Sequence, residues 1–388
     1  MTEHTNTPEL RFPEFNHDWS MLTLGDIGKV EMNKRIYKSQ TSDDEEIPFY
    51  KISTFGKKPT TFISREIFEE YKEKFPYPNK GDILISASGS IGKTIEYNGE
   101  EAYFQDSNIV WLNHNQQVSN KFLKQFYSII DWKGIEGSTI KRLYNRHILN
   151  TIINLPLYEE QEKIGTFFSK LDHQIELEEE KLELLEQQKR GYMQKIFSQE
   201  LRFKDENGNA YPKWKEIKLK EILEVSKRKN TDNNYDHNDV LSVSREFGVI
   251  NQIKYHGRSF AAKSVKNYKV VKPNSLIYTK SPLKGAPYGI FKVSFKNGIV
   301  SPLYAVYESN NKNITNFISR IFEFDNMVTY YLSKLVSKGA KNTINVTDEM
   351  AISGKISIPQ DENEIQDIIS FFDTFDELLI KQNEKINN

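Results

Sequence analysis

Apolar residues recur every three or four positions along two stretches of this 388-residue chain. In the first stretch, one helical stripe carries Ile164, Phe168, Leu171, Ile175, Glu178, Leu182, Leu185, Lys189, Tyr192 and Ile196. In the second stretch, the matching stripe carries Ile368, Phe372, Phe375, Leu379, Gln382 and Ile386. A repeat of about 3.5 residues is typical of a coiled-coil seam, so the pattern predicts two helices that can pack together.

Polar residues interrupt the two stripes at matching places, because Glu178 in the first stripe aligns with Gln382 in the second. Lys189 is the other polar position in the first stripe. The first helix is predicted over about residues 159–197, and it would be roughly 60 Å long at about 1.5 Å per residue. The alternative is a pair of amphipathic helices that each cover their own domain.

The chain also repeats itself with a period near 200 residues. Leu10-Arg11-Phe12 recurs as Leu201-Arg202-Phe203, and Leu155-Pro156 before the first helix recurs as Ile358-Pro359 before the second. This period is much longer than that of a stacked repeat array, so it predicts a tandem duplication of one domain followed by one helix.

Short runs of strand-forming residues occupy the region before each helix. Strands are expected at 82–86, 108–112, 275–279 and 301–307, a helix at 121–130, and hairpin turns at the Asn-Gly pairs 98–99 and 297–298. The predicted fold is two α/β or α+β domains in tandem, separated by long helices. The predicted boundaries are a domain at 1–157, a helix at 158–198, a domain at 199–359 and a shorter helix at 360–388.

Composition supports a packed protein with no membrane span. The chain is 37% hydrophobic and 12% aromatic, and it has no cysteine, which excludes disulfides and thiolate zinc sites. No stretch approaches the roughly 18 apolar residues that a membrane helix needs, and the polar N-terminus lacks a signal-peptide core. We therefore expect a cytoplasmic protein.

The net charge of −1 conceals an uneven distribution. Residues 215–296 contain 17 Lys and Arg against 7 Asp and Glu, whereas residues 158–200 contain 6 against 11. A basic domain beside an acidic helix is typical of a nucleic-acid-binding module on a protein-binding connector, although solvated surfaces can also differ in this way.

Residues 87–94, Ala-Ser-Gly-Ser-Ile-Gly-Lys-Thr, fit a permissive form of the nucleotide-binding P-loop. A P-loop must open a helix whose N-terminus faces the phosphates, but residues 95–100 resemble a strand and a turn. A P-loop enzyme therefore stays as an alternative function. The sequence contains no H-E-x-x-H or G-x-G-x-x-G motif, and its scattered histidines predict no metal site.

Two polar, basic segments of the first domain are the candidate DNA contacts. The first supplies hydroxyls, backbone amides and an ammonium, and the second supplies groups that can bind guanine, adenine or phosphate. Their residues are Ser86, Ser88, Gly89, Ser90 and Lys93, followed by Lys141, Arg142, Asn145 and Arg146. A plain tight turn is the alternative for the first segment.

The second domain has its own candidate DNA contacts, in the counterparts of these two segments and at a Lys-Arg pair. They are Lys227, Arg228, Lys280, Lys284, Tyr288, Lys338, Lys341 and Asn342. The Lys227-Arg228 pair is also compatible with an ordinary solvated charge run.

The order of these motifs resembles the specificity subunit of type I restriction-modification enzymes. The resemblance includes residues 10–15 with Trp19, 81–86 with 88–93, and 155–172 followed by 189–195. It covers nearly the whole chain. It implies two target-recognition domains joined by antiparallel helices, with each domain recognising half of a bipartite, asymmetric site in double-stranded DNA.

The resemblance also implies partners that carry the chemistry. Two modification subunits would methylate adenine with S-adenosylmethionine, restriction subunits would use ATP and Mg²⁺, and this chain would be non-catalytic and hold no cofactor. The helices would pack together and dock the modification subunits through Ile164, Phe168, Leu171, Ile175, Leu182, Leu185, Ile368, Phe372, Phe375 and Leu379. The second helix is expected to be short, because Asn388 aligns with Leu184. The remaining alternative is a coiled-coil scaffold with no role on DNA.

Overall fold

The computed structural model describes residues 8–114, 116–135, 141–283, 285–338 and 344–387, with the backbone alone at Lys338. The chain divides into two compact units, Met1–Leu177 and Glu178–Asn388. One long helix crosses the boundary between them.

The first unit is built from short strands, four short helices and the start of the long helix, within its described residues. Its strands are β1 Ser20–Thr23, β2 Gly28–Glu31, β3 Ile47–Tyr50, β4 Phe62–Ile63, β5 Ile83–Ser86, β6 Thr94–Glu96, β7 Tyr103–Phe104, β8 Ile109–His114 and β9 Ile152–Leu155. Its helices are α1 Leu24–Ile27, α2 Arg65–Lys74, α3 Asn120–Ile129 and α4 Asn145–Leu149, followed by α5 Tyr158–Phe197.

The central sheet of the first unit is antiparallel, with strand order β2-β8-β5-β6. Its two central strands are apolar on both faces because both faces are covered. Ile85 and Val110 pack into one core, whereas their neighbours Leu84 and Trp111 pack into another. This alternation follows from the two-residue period of a strand.

The second unit repeats this arrangement in longer form. Its strands are β10 Lys215–Lys218, β11 Glu224–Val225, β12 Leu241–Ser244, β13 Gly248–Asn251, β14 Lys269–Val271, β15 Ser275–Thr279, β16 Phe291–Ser294, β17 Gly298–Val300, β18 Tyr304–Glu308, β19 Ser337–Lys338, β20 Ile344–Asn345 and β21 Lys355–Ile358. Its helices are α6 Gln252–His256, α7 Lys312–Ile321, α8 Asp325–Ser333, α9 Asp348–Ala351 and α10 Glu362–Asn387.

The strand order in the second central sheet, β11-β18-β15-β16, matches that of the first, position by position. The first strand of each domain also pairs with the strand that precedes the long helix, β1 with β9 and β10 with β21. The two domains thus share one antiparallel topology, which confirms the predicted tandem α/β (α+β) fold.

The Asn-Gly pairs do not close hairpins, contrary to the prediction. Asn98-Gly99 follows β6, which pairs with β5, and the next strand β7 pairs with β3. Asn297-Gly298 lies between β16 and β17, but β16 pairs with β15 and β17 pairs with β14. The strands on either side of each Asn-Gly pair bond to strands farther away in sequence, and this pairing outweighs the local preference for a hairpin turn.

Candidate nucleic-acid interface

The segment that resembles a P-loop is the hairpin loop between β5 and β6. The Ser86 amide donates to the Lys93 carbonyl at 2.8 Å, and the Lys93 amide donates to Ser86 Oγ at 2.9 Å. Gly92 adopts φ +82°, and a Cβ there would lie 2.7 Å from the Trp132 ring. A strand follows this loop, so the helix that a P-loop needs for phosphate binding is not present at this position.

Within this loop the predicted contacts divide into buried and exposed groups. Ser86 and Ser88 are only 1% and 4% exposed, whereas Gly89 and Ser90 face solvent. The Lys93 ammonium donates to the Phe55 carbonyl at 3.0 Å. Ser86 therefore closes the loop, and a ligand can reach the tip at Gly89 and Ser90 as well as the exposed Lys93.

The loop contacts the second predicted segment of the first domain. Asn108 Oδ1 accepts hydrogen bonds from Ser88 Oγ at 2.6 Å and from Arg142 Nη2 at 3.2 Å. Ser88 and Arg142 also form an antiparallel backbone bridge, and the Leu143 amide donates to the Ala87 carbonyl at 2.8 Å. Asn108 was not predicted from sequence, although its position directly before β8 places it at the end of the sheet where this loop lies.

The other predicted residues of this segment are solvent-facing. Lys141 and Asn145 are exposed, and Asn145 begins α4. The Arg146 guanidinium lies 5.6 Å from the Tyr144 ring centroid and donates to His147 Nε2 at 3.1 Å. The hairpin loop, Asn108 and residues 141–146 form a polar surface with three basic side chains besides Lys93, which we call the first contact surface.

The corresponding loop of the second domain joins β15 to β16. Gly285 and Gly289 adopt φ +81° and +87°, and a Cβ at Gly289 would lie 1.9 Å from the Thr279 carbonyl oxygen. Only glycine fits there, because the backbone closes too tightly for any side chain. Tyr288 is partly buried against the hydrophobic core of the unit.

Two predicted cations of the second domain are held in ion pairs. Lys280 pairs with Asp348, which also pairs with Lys269 at 2.5 Å. Burial opposes ionisation of Asp348, but the two lysines outweigh it and hold its pKa below the usual value. Arg228 pairs with Glu308, and Lys227 is exposed. Lys284, Lys341, Asn342 and the Lys338 side chain lie outside the described residues.

The long helices pack antiparallel within the second unit. Gln382 Nε2 donates to the Glu178 carboxylate at 2.7 Å, and Lys385 pairs with the same carboxylate. Farther along, Tyr192 packs against Phe371 and Phe375, with ring centroids 5.3 and 5.7 Å away. Glu178 thus contacts its own counterpart in the repeat, and the polar interruptions of the two stripes meet each other.

Lys189, the second polar exception, connects three elements. Its ammonium contacts Asp376 of α10 at 2.6 Å and Glu323, which follows α7, at 3.2 Å. Arg320 of α7 pairs with Glu323 and with Asp376. This network, which we call the Lys189 network, fixes the second domain against both helices.

The predicted seam residues differ in burial between the two stripes. Ile368 and Phe372 are fully buried, and Leu182, Leu185, Phe375 and Leu379 are partly buried. Ile164 is partly buried, whereas Phe168, Leu171 and Ile175 are 40%, 43% and 39% exposed. The N-terminal part of α5 therefore presents an apolar stripe to solvent.

The repeated Leu-Arg-Phe motif has a structural role that sequence reasoning missed. Arg11 makes a bidentate pair with the fully buried Glu160, with both N–O distances at 2.7 Å. Arg202 makes the same pair with Glu364, which is also buried. Each pair holds the segment before a domain against the start of a long helix, so both copies are closed in the same way.

Within the described ranges, no group of three or more His, Asp or Glu side chains could hold a metal ion. No described helix is long and apolar enough to cross a membrane.

Comparison with known proteins agrees with this architecture. A family model described as a type I restriction modification DNA specificity domain matches residues 16–187. S.HindORF215P of Haemophilus influenzae, whose name describes a type I restriction enzyme specificity subunit, is 52% identical over 153 residues. That alignment covers 39% of this chain and 40% of that protein. The protein named for the MjaX specificity subunit of Methanocaldococcus jannaschii is 25% identical over 98% of this chain and 93% of its own length.

Solved structures share the fold across nearly the whole chain. The S subunit of a type I restriction-modification system from M. genitalium has a TM-score of 0.56 and 13% identity, and the match covers 98% of this chain and 95% of that one. A chain from a structure on complex assembly in the type I system has a TM-score of 0.52, 13% identity and the same coverage. Residues 16–187 of this chain therefore match the type I restriction modification DNA specificity domain, and nearly the whole chain is similar in sequence to a protein described as a type I specificity subunit.

Proposed function

We propose that this chain recognises a bipartite, asymmetric sequence in double-stranded DNA, with one half-site contacted by each domain. The duplicated topology supports this proposal, because two copies of one fold with different loops present two different surfaces to DNA. The observation that carries it is the first contact surface, where two segments distant in sequence place Ser88, Asn108 and Arg142 together. Amide and guanidinium groups are the side chains that distinguish bases in the major groove.

The antiparallel helices would set the unrecognised gap between the half-sites. Glu178 pairs with Gln382, so the register of α5 against α10 is specified by hydrogen bonds as well as by apolar packing. A helix pair with one fixed register is a rigid spacer, and a rigid spacer selects one gap length.

The exposed apolar stripe on α5 would dock modification subunits, which methylate adenine. Phe168, Leu171 and Ile175 are large side chains that a soluble monomer rarely exposes in a row. S-adenosylmethionine would bind to the modification subunits, and ATP and Mg²⁺ to restriction subunits. This chain would supply recognition and no catalytic group.

Mapping methylated adenines tests the proposal. The chain is expressed with the modification subunit of its system, and the adenines methylated in host DNA are identified by sequencing. We expect two half-sites separated by a gap of constant length. Methylation without a common sequence, or at one uninterrupted site, would contradict bipartite recognition.

Variants of the first contact surface sharpen this test. Lys141→Ala with Arg142→Ala is expected to relax or abolish recognition of one half-site, because a good bidentate base contact contributes about 1–3 kcal/mol of discrimination. The matched control is Lys74→Ala, which removes an exposed cation paired with Glu70 on α2. An unchanged methylation pattern in the double variant would show that neither residue contributes to recognition of the half-site.

A further inference from the structure

A second surface of the second domain combines cations with exposed aromatic rings. Between residues 248 and 268 the chain has four Lys or Arg and no Asp or Glu. Arg245 and Lys269, which flank this segment, are paired with Asp325 and Asp348. The four cations inside it are all exposed, and within the described ranges none has a carboxylate at ion-pair distance; they are Lys254, Arg258, Lys263 and Lys266.

The aromatic rings of the same segment form a connected row. Phe247 lies 5.2 Å from Tyr255, Tyr255 lies 4.8 Å from His256, and His256 lies 5.4 Å from Phe260, measured between ring centroids. The Arg258 guanidinium lies 4.8 Å from the Phe260 centroid. Phe247, Tyr255 and Phe260 remain 58%, 50% and 56% exposed despite these contacts. We call these five residues together with the exposed Lys254 the α6 surface.

Hydrogen bonds fix this row in place. Gln252 joins Phe260 to strand β12, because its Oε1 accepts from the Phe260 amide at 3.1 Å and its Nε2 donates to Ser242 Oγ at 2.7 Å. Asn251 Oδ1 accepts from the Lys254 amide at 3.0 Å. The rings are therefore presented by an ordered backbone, which lowers the entropy cost of binding a ligand.

The α6 surface lies next to the loop that corresponds to the first contact surface. Phe247 occupies the turn between β12 and β13, two residues after Arg245. A Cβ at Gly285, in the loop between β15 and β16, would lie 2.5 Å from Arg245 Nη1. The turn and the loop thus adjoin each other at one side of the second domain.

We propose that the α6 surface is a DNA contact of the second domain, at which cations bind phosphates and aromatic rings pack on an unstacked base. This inference rests on the proposed function and names a further part of its DNA interface. A stretch of 21 residues with four cations and no carboxylate attracts a polyanion. Exposed aromatic rings favour a ligand that has flat apolar faces, as a nucleic-acid base does. A side chain can contact the face of a base only where the base step is unstacked.

Quantitative DNA binding by two double variants tests this inference. The full chain, assembled with its modification subunit, is titrated with a fluorescent duplex that contains the mapped target. Tyr255→Ala with Phe260→Ala should weaken binding by about tenfold while the salt dependence stays the same, because stacking is not an ionic interaction. Lys254→Ala with Arg258→Ala should reduce the slope of log affinity against log salt by about 1.8, at about 0.9 for each phosphate contact.

Tyr330→Ala is the matched control. Tyr330 is 66% exposed on α8, and the Lys334 ammonium lies 3.7 Å from its ring centroid, so the variant removes a similar ring beside a similar cation. It should bind like the wild type. A duplex with only the second half-site scrambled provides a further control, because the aromatic double variant should discriminate against it less than the wild type does.

Three outcomes are distinguishable. Affinity within twofold of the wild type in both double variants, with an unchanged salt slope in Lys254→Ala with Arg258→Ala, would overturn the role of the α6 surface. Loss of assembly with the modification subunit, with DNA affinity unchanged, would also overturn it and identify a protein-binding surface. If the wild-type complex itself does not distinguish target from scrambled DNA, the proposed function fails instead.

Discussion

Arg11 and Arg202 show how one residue can close a domain. Each guanidinium binds a buried glutamate and also donates to a backbone carbonyl, that of His17 at 2.6 Å or that of Pro212 at 2.7 Å. Both Nε and Nη2 of each guanidinium therefore donate to the protein. Lysine has the charge but lacks the planar fork that makes these contacts simultaneously.

Removing Arg202 should destabilise the second unit strongly. Arg202→Ala leaves the buried Glu364 carboxylate without its partner, which typically costs about 3–5 kcal/mol. The measurement is urea unfolding, with hydrogen exchange at the start of α10 as the local readout. Arg202→Met with Glu364→Leu should recover much of the loss, because no charge then stays buried. If Arg202→Ala and the double variant lost the same free energy of unfolding, lost packing, and not the uncompensated charge, would explain the destabilisation.

Sequence identified these arginines as part of a repeat but did not show what they contact. Glu160 lies 149 positions from Arg11, and a single sequence contains no signal that joins positions so far apart. The same limit applies to Asn108, which lies 34 positions from Arg142, and to Asp348, which lies 68 positions from Lys280. Residue type predicted which groups could bind DNA, whereas pairing within the fold decides which of them are already occupied.

At the scale of elements, periodicity predicted the helices well. The expected helix over about 159–197 is Tyr158–Phe197, and the expected helix at 121–130 is Asn120–Ile129. Long periodic segments have many residues that agree with one another. Short strands contain few residues that support one assignment, so their bounds are predicted less well. The strand expected at 301–307 begins three residues later, at Tyr304, and ends at Glu308. Its start is set by pairing with β15 and not by its own composition.

The two polar interruptions of the seam have a physical reason that the heptad pattern alone did not give. Glu178 and Gln382 form a hydrogen bond with each other, and Lys189 forms ion pairs with Asp376 and Glu323. A slip of one heptad would move each group by about 10 Å and leave it opposite apolar side chains. Polar groups in a coiled-coil seam specify register in this way.

The Lys189 network should make the second unit sensitive to acid. Burial opposes ionisation of Asp376, but Arg320 and Lys189 outweigh it and hold its pKa below the usual value; Glu323 and the partly buried Lys292 also face this site. A carboxyl group with a depressed pKa stabilises the fold above its unfolded pKa of about 3.9, and this contribution is lost as the pH falls through the folded-state pKa.

Asp376→Asn should therefore lower stability by about 1 kcal/mol at pH 7, a modest value because the side chain is one-third exposed. It should also flatten the decline in stability below about pH 4. Thermal unfolding of the full chain from pH 7 to pH 3 measures both effects. Asp373→Asn is the control, because Asp373 is 56% exposed and binds only the outer side of Arg320. If the stability of Asp376→Asn declined with falling pH as steeply as that of the wild type, Asp376 would not be a source of the acid sensitivity.

At the scale of the whole molecule, the duplication was the most informative signal in the sequence. Both domains have one strand order and one closing ion pair, so the architecture follows from a single unit used twice. The loops differ in length between the copies, since residues 87–93 join β5 to β6 and the longer segment 280–290 joins β15 to β16, although each contains two glycines with positive φ.

Exchange of one domain should change one half-site alone. Replacing residues 20–150 with the corresponding residues of a relative keeps the Arg11–Glu160 pair and α5, so the helical framework is retained. Methylation mapping should then show one new half-site, one old half-site and the original gap. A change in the gap length, or in both half-sites, would show that recognition is not modular.

The hairpin loop between β5 and β6 has an evolutionary consequence. Its two ends are clamped by backbone hydrogen bonds and by the Ser86 hydroxyl, while Ser90 faces solvent at its tip. A mutation at the tip alters what the first domain offers to a ligand but leaves the strand ladder below it intact. Selection can therefore vary the exposed tip of this loop one codon at a time while the fold beneath it is retained.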